Sequence, residues 1–164
     1  MRTLKQFAAG AATGLVLALL AGAASAATVV HVDLWDKGGD MAMPTNMKYG
    51  DPGLDLSKAT MGIKVDRKSA PAGLVSFKVT NSSKDTIHEM IVMYLADPSK
   101  PLPYVASEER VDEDKAGDKG EVSELDPGAS GQLTIPLQPG NYLLICNVPG
   151  HYAAGMWTEF DVTK

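Results

Sequence analysis

From residue 27 onward the apolar residues fall in short runs at 28–35, 60–66, 74–81, 86–95, 132–137, 141–147 and 156–162, rich in Val, Ile, Thr, Tyr and Phe. Runs of this length and residue type read as β-strands, and no long stretch repeats at the helical period. The breaks between them carry Pro-Gly and Asn-Ser pairs, whose backbone preferences favour turns. Seven short strands punctuated in this way predict an all-β protein folded as a Greek-key β-sandwich. Two segments interrupt the pattern. Residues 37–58 are rich in Gly, Asp and Met without a period, which predicts an irregular connection packed across one end of the sandwich. In residues 96–127 a short helix is expected over 104–114, followed by a charged loop. No internal repeat and no shift in composition marks a second domain, so residues 27–164 are expected to form a single one.

The first residues have a different character. Arg2 and Lys5 precede an apolar run over 7–23, and the segment ends in Ala24-Ser25-Ala26. This is the three-part pattern of a cleavable signal peptide over 1–26, with the cut after Ala26. Residues 7–27 are also just long enough to cross a bilayer if retained, but the small residues at the cleavage positions favour removal. Ala27, where a bacterial lipoprotein carries Cys, gives no support for a lipid anchor. The mature chain is therefore expected in the periplasm, or secreted where the source lacks an outer membrane, with no stable membrane insertion.

Loss of Arg2 and Lys5 leaves 13 of the 15 basic residues against 20 acidic ones, a formal charge of −7. That balance disfavours nucleic acid as a partner. The mature length is enough to close a hydrophobic core without metal or disulfide help, so any bound metal is expected to serve function first. Cys146 is the sole cysteine and cannot form an internal disulfide. It is a buried structural thiol, a dimerising thiol or a metal ligand, and composition alone favours the first.

The neighbours of Cys146 reverse that order. Residues 141–156 read NYLLICNVPGHYAAGM: a strand delivers Cys146 at its end, Pro149-Gly150 turns the chain, His151 follows after four residues, and Met156 after four more at the start of the next strand. A thiolate, an imidazole and a thioether on one tight loop suit copper, because sulfur donors favour Cu(I) while imidazole serves both oxidation states. Zinc does not usually recruit the Met. A site of this kind needs a second histidine, and the mature chain offers His31, His88 and His151. His88 stands just after an Asn-Ser-Ser-Lys turn at the start of an apolar strand, a workable donor position; His31 sits inside the first strand and suits a surface or pairing role. The expected ligands of one copper ion are thus His88, Cys146, His151 and Met156.

The stretch LDPGASGQLTIPLQPGNYLLICNVPGHYAAGM, with the earlier VSFKVTNSSKDTIHEM, resembles the bacterial plastocyanin/azurin-like cupredoxins over about residues 73–162. That resemblance implies a type 1 copper site with His88, Cys146 and His151 equatorial and Met156 axial, a cupredoxin-like Greek-key sandwich, and electron transfer between larger redox proteins. One departure concerns the residue after the first histidine. Many small members carry Asn or Ser there, tying that strand to the Cys loop, whereas this chain has Glu89. Strand alternation places Glu89 on the face opposite His88.

The remaining features bear on the role of the site. Met41, Met43 and Met47 either fill gaps under a loop or hold a second Cu(I). Residues 108–126 carry nine acidic side chains against Arg110, Lys115 and Lys119, a net −6; this is a solvated loop or a patch that steers a basic partner. Tyr152 and Trp157 flank two of the expected ligands and either shield the metal, form a contact surface or simply pack. With no Ser-His-Asp set, no paired carboxylates and too few histidines for a multicopper enzyme, an enzymatic role is not expected. The leading expectation is a monomeric one-electron carrier cycling Cu(II)/Cu(I) between a redox protein donor and acceptor, which dock at the copper end or at 108–126. The alternatives are a periplasmic copper-handling protein, for storage, delivery or tolerance, and an accessory domain that has lost redox work.

Overall fold

The computed structural model describes residues 26–164 except residues 39 and 41, so the expected signal peptide over 1–26 lies outside the described residues but for Ala26. Two sheets face each other. The first runs in the order β2-β1-β4-β9, from β1 (Thr28–Asp36), β2 (Met61–Val65), β4 (Gly73–Asn81) and β9 (Ser130–Leu137); the second runs β3-β11-β10-β5-β8, from β3 (Ser69–Pro71), β5 (His88–Leu95), β8 (Asp118–Leu125), β10 (Gly140–Ile145) and β11 (Trp157–Thr163). β1 pairs with β4, and β3 with β11, in parallel, and the other ladders are antiparallel. Strand alternation supplies the core between the sheets. Val30, Val32 and Leu34 of β1 and Val75, Phe77 and Val79 of β4 meet Met90, Val92, Tyr142, Leu144 and Phe160 of the second sheet.

The two central strands of the second sheet are buried on both faces. Ile91, Met93 and Leu95 of β5 and Leu143 and Ile145 of β10 point away from the main core into a second cluster with Leu102, Val111, Ala116, Tyr152 and Trp157. This accounts for the unbroken apolar runs IVMYL and YLLIC, since a strand covered on both sides loses the alternation of a half-exposed one. The cover comes from the two segments that interrupt the strand pattern. Tyr49 and Leu54 of the early connection and Tyr104 of the later one complete the layer.

The later segment differs from expectation. In place of a helix over 104–114 there is a two-stranded ribbon of β6 (Tyr104–Val105) and β7 (Arg110–Val111), then one helical turn, α1 (Glu113–Ala116), capped by the Asp112 side chain on the Lys115 amide. The side chain of Asn147 captures both the N–H and the C=O of Val111, and Glu109 takes a left-handed backbone with φ 55°, so the backbone groups a helix would use are engaged elsewhere. The charged loop expected next contains β8, an edge strand paired to β5 through two register shifts. Its outward charges fit an edge, where they discourage pairing with another chain. Among the described residues no helix is long and apolar enough to cross a membrane.

Candidate metal centre

The expected ligands gather at one end of the second sheet, three of them at strand ends. His88 opens β5, Cys146 follows β10 and Met156 precedes β11, while His151 lies in the turn between the last two. The β10/β11 ladder continues one step past its strands, with the Cys146 amide donating to the Met156 carbonyl at 3.0 Å. Inside the loop, His151 donates to Val148, Ala154 to Gly150, and Met156 to the His151 carbonyl, all at 2.9–3.0 Å. Most backbone N–H groups of the loop are therefore committed, which holds it in one closed turn.

Three ligand atoms converge. Nδ1 of His88 and Nδ1 of His151 are 3.2 Å apart, and Sγ of Cys146 lies 3.4 Å from the second and 4.0 Å from the first. An ion bonded to nitrogen at about 2.0 Å and to sulfur at about 2.3 Å in a trigonal plane would set such atoms roughly 3.5–3.7 Å apart, so the spacing fits a single metal with small adjustments. His88, Cys146 and Met156 are fully buried and His151 is 5% exposed. His151 is thus the expected ligand nearest the surface. Met156 shares the main core cluster with Cys146. His31 is exposed and bonded through its backbone to Asp66, away from this set.

The electrostatics of the metal-free pocket follow from burial. The Cys146 thiol is pushed up to about 12 by desolvation, only partly offset by backbone N–H groups, of which that of Glu89 lies 3.5 Å from Sγ. His151 is pulled down to about 4, by burial first and by the neighbouring His88 second. His88 is also lowered by burial, against the opposing pull of Asp36. The pocket therefore holds neutral imidazoles and a protonated thiol at neutral pH, a donor set ready for a soft cation once the thiol proton leaves.

The surroundings explain how the loop is held. Glu89 lies opposite His88, as alternation requires, yet its Oε1 accepts from the Asn147 amide at 3.0 Å, so it makes the tie to the Cys loop that Asn or Ser was expected to make. Burial, reinforced by Glu121, raises the Glu89 carboxyl to about 7. Asn147 extends the tie by donating to Glu113 as well as Val111, and the Gly150 amide donates to the Glu109 carbonyl. From the other side, Met47 donates its amide to Ala153 and accepts from the Trp157 indole at 2.7 Å, with Tyr49 edge-on to Trp157. The early connection thus clamps the ligand loop, as its packing across one end had suggested. Met47 is buried against Gly155, whereas Met43 is exposed over Gly150; Met41 lies outside the described residues. Tyr152 and Trp157 are both buried in the second cluster.

Sequence reasoning missed Asp36, whose Oδ2 lies 2.8 Å from Nε2 of His88. Burial raises this carboxyl, but hydrogen bonds from Ser83, His88 and Gly38 outweigh it and hold the group below its ordinary value. Only the Asp-Lys-Gly ending of the first strand hinted at a turn there.

Comparison with known proteins agrees with this geometry. Residues 69–164 match the sulfocyanin (SoxE) domain. No curated protein sequence matches. Among solved structures, the chain is similar to reduced auracyanin from the photosynthetic bacterium Roseiflexus castenholzii, with TM-score 0.52, 20% identity, and 85% of this chain and 98% of that one covered. Rusticyanin from Thiobacillus ferrooxidans gives 0.51, 18%, 84% and 79%. Auracyanin A of Chloroflexus aurantiacus, described as a blue copper protein, gives 0.51, 18%, 84% and 100%. At these identities the structural likeness establishes the shared cupredoxin fold.

Proposed function

Because the chain belongs to the sulfocyanin (SoxE) family, we propose that it is an exported one-electron carrier holding a single type 1 copper ion through His88, Cys146, His151 and Met156. The observation that carries this reading is the buried convergence of His88, Cys146 and His151, whose ligand atoms all lie within 4.8 Å of one another. Copper, when bound, supplies a one-electron couple between its two oxidation states. The chain does the rest. Cys146 gives up its proton to become the thiolate donor, the two histidines present neutral nitrogens, and Met156 stands next to Cys146 as the thioether donor. Strand ends and the closed turn resist movement of these groups, so little reorganisation accompanies a change of charge. His151 supplies the shortest way in and out for the electron, being the one member of the set with exposed surface. Four protein donors leave no position for a substrate, which favours a carrier over an enzyme.

The same reading places a donor and an acceptor redox protein at the copper end or on the acidic segment 108–126, in the periplasm. Its support is that Glu109, at the start of that segment, lies against Gly150 of the ligand loop. The deciding measurement is the visible spectrum of the protein with one equivalent of Cu(II). An intense thiolate-to-copper band that bleaches on reduction and returns on oxidation, with fast self-exchange, is the expected outcome. A colourless protein that binds Cu(I) and hands it to an acceptor would replace the carrier by a copper-handling protein.

A further inference from the structure

A carboxylate reaches the metal centre from the opposite sheet. Asp36 closes β1 in the first sheet and His88 opens β5 in the second, 52 positions later, and the bond between Oδ2 and Nε2 joins the two sheets at the ligand end. Both side chains are buried, 4% and 0% exposed, so water does not compete for the contact. The other oxygen of Asp36 accepts from the Gly38 amide at 2.8 Å, which stops the carboxylate from turning away. An ionised carboxylate can only accept, so the shared proton resides on Nε2 and the lone pair of Nδ1 is left facing Cys146 and His151. A metal-binding histidine held in this way is fixed in orientation and tautomer and made a stronger donor.

We propose that Asp36 is the positioning residue of the copper centre: it locks His88 with Nδ1 toward the metal, and its buried negative charge favours the oxidised, more positive state and so holds the reduction potential down. The inference rests on the copper reading above. It is tested in the full chain with two variants, D36N and D36A. Asn keeps the size and an acceptor oxygen but drops the charge; Ala drops both.

In metal-free protein, nitrogen NMR of the His88 ring should report the Nε2–H tautomer in the parent and in D36N, and a mixture of tautomers in D36A. With copper, D36N should keep the charge-transfer band while its preference for Cu(II) over Cu(I) falls about tenfold, a rise of about 59 mV. D36A should bind Cu(II) about 10- to 100-fold more weakly. An unchanged ring in D36A, with parental potential and affinity in both variants, overturns the assignment. If the parent itself shows no charge-transfer band, the copper reading fails and the redox half of the proposal falls with it, while the ring measurement still decides whether Asp36 positions His88.

Discussion

Gly155 immediately precedes Met156 in the ligand loop, and adding one methyl group there should do more damage than the same change five residues earlier. Gly155 is buried with φ +95°, and a Cβ would stand 3.2 Å from Ala59 Cβ, 3.2 Å from Leu56 Cδ2 and 3.4 Å from Met47 Cβ. The left-handed backbone costs an alanine about 1–2 kcal/mol, and crowding against a short, fixed side chain adds about 1–3 kcal/mol. G155A should therefore lose about 3 kcal/mol of stability and shift Met156 relative to Cys146. Gly150 is the control. Its φ is +84°, but among the described residues the nearest neighbour of a Cβ is the tip of exposed Met43, at 3.2 Å, which can swing aside, with Glu109 Oε2 only at 4.0 Å. G150A should lose only about 1 kcal/mol. Urea unfolding of the metal-free proteins, followed by circular dichroism, measures both losses, and the charge-transfer band after Cu(II) loading reports the ligand geometry. Equal losses in the two variants would refute the claim that the early connection braces the ligand turn at Gly155. So would a weaker effect at 155.

Two further predictions follow from the buried titrating groups. With the Cys146 thiol raised to about 12 and His151 lowered to about 4, copper uptake between pH 6 and 9 should expel one proton, and apparent Cu(II) affinity should rise about tenfold per pH unit. Calorimetry in buffers of different ionisation enthalpy counts the protons; none released, or two, contradicts the neutral pocket. Glu89 is raised from 4.5 to about 7 in the folded chain, so the native state holds this proton more tightly than the unfolded one. The resulting stability is fully present below about pH 4.5 and is lost as pH rises through 7, a change of at most about 3 kcal/mol. E89Q, which keeps an acceptor for Asn147, should flatten that part of the metal-free pH–stability curve; a parental slope in E89Q would show that the titration belongs to another group.

Much of the architecture was legible because strand signals are local. All seven expected strands are present with ends moved by one or two residues, and the alternation in β1 and β4 matches the face each residue buries. β8 escaped because Asp118, Glu121, Glu124 and Gly120 mimic a loop; pairing with β5 makes it a strand, and that partner is some 30 residues away in the chain. The helix expected over 104–114 failed for the same kind of reason, since Asn147 takes the backbone groups of Val111 from another part of the fold.

The metal centre divides along the same line. Cys146, His151 and Met156 lie on one turn, so their spacing alone determined that three donors of graded softness would share one place, and a chain with only three histidines left His88 as the natural fourth. Contacts that cross the sandwich were beyond such reading. That Asp36 would meet Nε2 of His88, that Glu89 would brace Asn147, and that Met47 and Trp157 would clamp the loop depended on which sheet each strand joined. Short-range spacing sets the choice of ligand atoms through chain geometry, whereas their orientation, dryness and charge environment arise only when two sheets and their covering segments exclude water together.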